Sequence, residues 1–172
     1  MTRFILKSLT ICLLTMFKPL HAQEVWKESF SVPGKGIWMD ENGTMVSDFS
    51  GITSWTLEYS SLELLDSFDY AKTVATSGGR FEVRDINGEI TWRSQWINIE
   101  GLENVVVELI SAETGSGANT GTKYMKVFYR LDEGEEVPFS ENGMNAGNWG
   151  SLKARQEGIK GNMLQIICCL SS

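Results

Sequence analysis

The chain has 172 residues, with 22 Asp and Glu against 15 Lys and Arg, a net charge of −7 and one histidine. That balance, with no basic stripe anywhere along the chain, excludes a nucleic-acid partner, because phosphate backbones are bound through clustered Lys and Arg. The 10% aromatic and 42% hydrophobic content is that of a globular chain.

The first element in chain order is an export signal. Met1 to Lys7 carries Arg3 and Lys7 and no acid, and Ser8 to Phe17 is apolar. This run is shorter than the ~20 residues needed to cross a bilayer. Lys18-Pro19-Leu20-His21-Ala22 then ends the segment on a small residue. These are the three parts of a secretory signal, so residues 1–22 are predicted to be removed after Ala22, leaving a secreted protein, extracellular, at the cell surface or periplasmic. A retained anchor is the alternative. Cys12 lies in the middle of the apolar run behind Ile11, which does not suit lipidation. Loss of Arg3, Lys7 and Lys18 takes the net charge to −10, and His21 leaves too. Without an imidazole, Ser-His-Asp, Cys-His and His-ligated zinc chemistry are all excluded from the mature chain. The remaining cysteines, Cys168 and Cys169, are neighbours that bridge each other rarely, so the domain must be held by its core. About 150 residues suffice for one such core, and 23–172 is predicted to be a single domain.

Short runs rich in Val, Ile, Phe, Tyr, Trp and Thr, separated by Gly, Asn, Asp and Ser, predict strands and turns throughout. Glu24 to Phe30 is the first predicted strand. Trp38 follows in a stretch read as a loop, and Asp40, Glu41, Asn42 and Asp48 form an oxygen-rich segment suited to calcium, without EF-hand spacing. Ser54 to Tyr59 is the next strand, Leu62 to Leu65 one helical turn, and Tyr70 to Thr76 a strand. Asn-Gly occurs at Asn42-Gly43, Asn87-Gly88 and Asn142-Gly143. Asn-Gly supplies the positive φ angles of tight hairpins. Arg80 to Asp85 and Glu89 to Arg93 flank the middle one with alternating patterns and predict a hairpin.

Ser94 to Ile99 is predicted as a strand; Trp92, Ser94 and Trp96 share a face if no bulge intervenes. Core packing is the favoured reading of both rings. Asn104 to Ala112 and Tyr124 to Leu131 alternate with period 2, one face apolar and one mixed, as in sheets buried on one side. Thr114 to Thr122 is a surface loop by composition. Asn145 to Gly150 contains Asn148 and Trp149 in a loop-like setting. Trp38 and Trp149, with Asn148, are the candidates for stacking on and hydrogen bonding to a sugar; packing over a sandwich end is the alternative. Asn162 to Cys169 is the last strand. Met163 to Leu170, apolar on both faces, belongs inside a sheet, with Cys168 and Cys169 on opposite faces.

Two segments carry a resemblance. Ile90-Thr91-Trp92-Arg93-Ser94-Gln95-Trp96-Ile97-Asn98-Ile99-Glu100-Gly101 has the form W-x-S-x-x-I-x-I-x-G. Tyr124-Met125-Lys126-Val127-Phe128-Tyr129-Arg130-Leu131-Asp132-Glu133-Gly134 has the form Y-x-x-V-x-Y-x-L-D-x-G. With Glu28-Ser29-Phe30 before them, they resemble the carbohydrate-binding-module-like jelly-roll modules of secreted multidomain bacterial proteins. The resemblance implies an all-β, antiparallel two-sheet β-sandwich of jelly-roll type. With no histidine in the mature chain and no carboxylate pair singled out, the favoured functional reading is a non-catalytic module that binds an extracellular glycan or other cell-surface component. Such modules close with a further strand whose Asp/Asn-rich end helps hold structural calcium; here Leu164 to Cys169 is followed only by Leu170, Ser171 and Ser172. The expectation is therefore a sandwich short of its last strand, calcium bound, if at all, by Asp40, Asn42 and Asp48. An exposed sheet edge should favour self-association, and at least one thiol should react readily. A carboxylate-dependent hydrolase and a structural module with no ligand are the other functional readings.

Overall fold

The computed structural model describes residues 23–112, 124–142 and 151–171. The described residues are all-β, with strands paired antiparallel: β1 (Gly36–Met39), β2 (Met45–Asp48), β3 (Trp55–Glu63), β4 (Tyr70–Val74), β5 (Arg80–Arg84), β6 (Asn87–Ser94), β7 (Ile97–Asn98), β8 (Val105–Ala112), β9 (Tyr124–Leu131), β10 (Glu136–Pro138), β11 (Glu141–Asn142), β12 (Ser151–Ile159) and β13 (Met163–Ser171). One 3-10 turn covers Thr76–Gly78.

A six-stranded sheet in the order β10-β9-β13-β6-β3, with β7 also on β13, forms one layer. The sheets β2-β1-β4-β5 and β11-β12-β8 lie over its apolar face. Alternation decides what that face carries: Trp55 and Leu57, Ile90 and Trp92, Leu164, Ile166 and Cys168, and Met125 and Val127 all point inward. They meet Val107, Ala154 and Ile159 from one covering sheet and Ile37 and Ala71 from the other. Trp55 sits at the centre of the aromatic packing, its ring 5.6–6.4 Å from those of Phe49, Phe81, Phe30 and Trp92. The mixed face of the six-stranded sheet is laced by Arg93, which donates to Glu58 on β3 at 2.9 Å and to Glu136 on β10 at 2.7 Å. Ile167, the register partner of Arg93 on β13, is 0% exposed although it lies on this outer face.

Several sequence expectations are corrected. Glu24 to Phe30 is not a strand: among the described residues it joins no sheet, and Phe30 at its end takes φ 52°, outside the extended region. The segment is tied down through Glu28, which accepts from Ser54 Oγ at 2.5 Å and from the Phe30 amide at 2.6 Å. Leu62 to Leu65 is not a helical turn. Residues 62 and 63 end β3, and the buried Asp69 carboxylate accepts the amides of Leu65 and Asp66 to make a turn instead.

The hairpin at Asn87-Gly88 is absent. β5 pairs with β4, whereas β6 pairs with β3 and β13, so the two flanks belong to different sheets. Ile86, 2% exposed, is buried at the crossing, and Asp85 takes φ 46° to turn the chain. Gly88 has φ 130°, far from type I′ values, and serves a close approach: a Cβ there would lie 3.0 Å from the Ser61 carbonyl oxygen at the β3 bulge. Asn42-Gly43, by contrast, does close the β1–β2 hairpin.

β13 is inside its sheet, as its two apolar faces require, with β9 on one side and β6 and β7 on the other. β13 itself is therefore not at an edge; the edge strands of this sheet are β3 and β10. Cys168 and Cys169 are free and alternate across the sheet. Burial bears on the expected reactive thiol. Burial pushes the Cys168 thiol far above its ordinary value, and burial raises Cys169, which contacts Thr91 Oγ1 at 3.6 Å. A thiolate is the reactive form. Both thiols should accordingly resist iodoacetamide at neutral pH until denaturant is added, which a mass-shift time course reads directly; rapid single labelling of the folded protein would contradict it.

Candidate functional site

The outer face of the four-stranded sheet is where exposed aromatic rings and charges come together. Pairing places Val46, Trp38, Tyr70 and Arg84 in one row across β2, β1, β4 and β5. Asp48, Gly36, Lys72 and Glu82 form the next row. The residues between them in sequence, Ile37, Ala71 and Val83, point the other way into the core. Period-2 geometry thus puts Trp38, Tyr70 and Lys72 on one solvent-facing surface. Trp38 and Tyr70 are half-buried, and the Lys72 ammonium stands 5.3 Å from the Trp38 ring centroid and 4.5 Å from that of Tyr70. Phe68 adds an exposed ring at the rim, with the Arg84 guanidinium 5.4 Å from its centroid.

The polar groups around these rings are held in place. The Tyr70 hydroxyl donates to Glu82 Oε1 at 2.5 Å, and Arg80 donates to the other oxygen of the same carboxylate. Burial and then the Glu82 charge keep Tyr70 protonated above its usual range. Burial alone would raise Glu82, but the hydrogen bonds from Tyr70 and Arg80 outweigh it and hold the carboxyl below its ordinary value. Lys35 donates to Asp48 Oδ2 and to Ser50 Oγ, both at 2.8 Å, while Asp48 Oδ1 accepts the Ser50 amide. The Lys35 hydrogen bond, first among these contacts, holds Asp48 well below the carboxylate range.

Gly36 is required by this arrangement. Its φ is 134°, and a Cβ would run into the Ala71 carbonyl oxygen and come within 2.8 Å of the Lys72 Cα. Only glycine lets β1 approach β4 closely enough to set Trp38 beside Tyr70.

Of the residues singled out in the sequence, Trp38 lies on this surface, in strand β1 rather than in the expected loop. Asn148 and Trp149 lie outside the described residues, as does the 114–122 loop. Asp40, Asn42 and Asp48 are not brought together. Asp40 Oδ1 accepts the amides of Asn42 and Thr44 at 2.9 and 2.8 Å and serves the hairpin turn. Asp48 faces Gly36 at the far end of the same hairpin, some four residues or about 13 Å away. Among the described residues no group of three or more metal-ligating side chains is close enough to share an ion.

Trp92, at 4% exposed, is core as expected, but Trp96 is 39% exposed. Gln95 and Trp96 interrupt the strand between β6 and β7, so the bulge turns Trp96 outward, with Arg130 at 6.0 Å from its ring. Sequence reading passed over Tyr70, Lys72, Glu82 and Arg84. The alternation in Tyr70-Ala71-Lys72 carried the signal, but not the identity of the strand beside it.

No protein-family model, curated protein or solved structure matches the chain. No helix among the described residues is long and apolar enough to cross a membrane.

Proposed function

We propose that this chain is a secreted, non-catalytic binding module of jelly-roll type, made with a signal at 1–22, whose outer sheet face around Trp38 and Tyr70 takes an extracellular glycan. The observation that carries the reading is the pair of cross-strand aromatic residues on a solvated sheet face, ringed by pinned hydrogen-bonding groups. Such a surface presents apolar ring area for the flat side of a pyranose and oriented donors and acceptors for its hydroxyls. The crossings from β3 to β4 and from β5 to β6, which carry the chain between packed layers, support a jelly-roll path. Against the hydrolase reading stand Asp48 and Glu82. Both are held as anions by cationic or hydroxyl partners, whereas a general acid needs its proton kept on at neutral pH.

A glycan array on the purified protein, with and without added calcium, is the test. Binding should appear and should weaken by about 1–3 kcal/mol in Trp38→Ala, as for loss of one aromatic anchor. The same substitution at Trp96 should leave binding unchanged. An array with no hit, or equal binding by wild type and Trp38→Ala, refutes the reading.

A further inference from the structure

We propose that the ligand of the Trp38–Tyr70 face is a carboxylated sugar of the uronate class, its ring lying on the aromatic surface and its carboxylate meeting Lys72. The inference rests on the glycan reading above and deepens it. The chain is acidic as a whole, yet this face is not: Lys35, Lys72, Arg80 and Arg84 stand on or beside it against Asp48, Glu82 and Asp85. Asp48 is engaged by Lys35, and Glu82 by Tyr70 and Arg80. Arg84 has Asp85 at 3.5 Å.

Lys72 is different. Among the described residues it makes no ion pair, and its cross-strand neighbour Glu82 is held by other donors. Its ammonium rests over two ring faces, the level at which a stacked sugar would sit. A neutral sugar entering there displaces the cation from the rings and offers no charge in return. A uronate displaces it onto its own carboxylate, so the cation–π contact is exchanged for an ion pair. The acidic remainder of the protein repels a polyanion at long range, and salt screens that repulsion before it weakens a contact ion pair, so recognition must come from this short-range contact.

The test is a binding series on the purified protein with polygalacturonate, its fully methyl-esterified form and neutral galactan. Each is measured at low and at physiological ionic strength, for wild type, Lys72→Gln and Lys72→Arg, with melting temperatures alongside. Polygalacturonate should bind more tightly than its ester or galactan at both ionic strengths. Lys72→Gln should lose about fivefold in affinity, the upper end for a solvent-accessible pair, while Lys72→Arg retains it. Equal binding of the acid and its ester overturns the carboxylate assignment and leaves the glycan reading standing. A Lys72→Gln loss that tracks a fall in melting temperature, with no effect of esterification, makes Lys72 structural and also overturns it. Failure of all three polymers to bind overturns the inference, and the array then decides the broader reading independently.

Discussion

Replacing Trp55 by alanine should cost about 3–5 kcal/mol, a large part of the 5–15 kcal/mol by which a domain of this size is stable. Trp55 is 3% exposed and contacts four other aromatic rings drawn from the N-terminal segment, the β2–β3 connection, β5 and β6. The rings also pack on one another, Phe30 lying 5.9 Å from Phe81 and 5.8 Å from Trp92, so they are not free to collapse into the cavity left behind. Trp96→Ala, on the outward side of the same sheet, should change stability by no more than about 0.5 kcal/mol. Urea unfolding of the two variants reads the difference. Comparable losses at both positions would mean that the inward and outward faces of β6 and its continuation are wrongly assigned.

Gly36→Ala should cost about 2–5 kcal/mol, combining the strain of a positive φ at a residue with a side chain and the overlap with β4. Relief requires β1 to move away from Ala71 and Lys72. That movement separates Trp38 from Tyr70, so the proposed glycan binding should fall with stability, and at temperatures where the variant is still folded. Gly43→Ala is the control: its φ is also positive, but a Cβ there meets nothing within 4 Å, so only the strain remains. Equal effects of the two substitutions in thermal unfolding would show that β1 and β4 do not approach as described.

The strands were legible where one rule governs them. Val105 to Ala112 and Tyr124 to Leu131 alternate because one face meets a core and the other water. Met163 to Leu170 is apolar on both faces, with β9 and β6 on its two sides and Ile167 fully buried on the outer face. Local signals failed where a distant partner outweighed them. Asn87-Gly88 has hairpin chemistry, but burying Ile86 between layers and fitting Gly88 against Ser61 gained more than closing a turn on β5. Trp96 shares its strand parity with Trp92, yet a two-residue interruption turned it outward.

The candidate site divides in the same way. Sequence by itself determined that the chain is all-β and that Trp38 was a ring in need of a reason. Composition, residue type and period-2 spacing are local properties and survive without a partner. Only the tertiary structure decided that Trp38 stands beside Tyr70 and under Lys72, and that Asp40 and Asp48 serve opposite ends of one hairpin. Strand neighbours, unlike strand faces, are set by which long-range pairing buries the most apolar surface, and no window of adjacent residues contains that comparison.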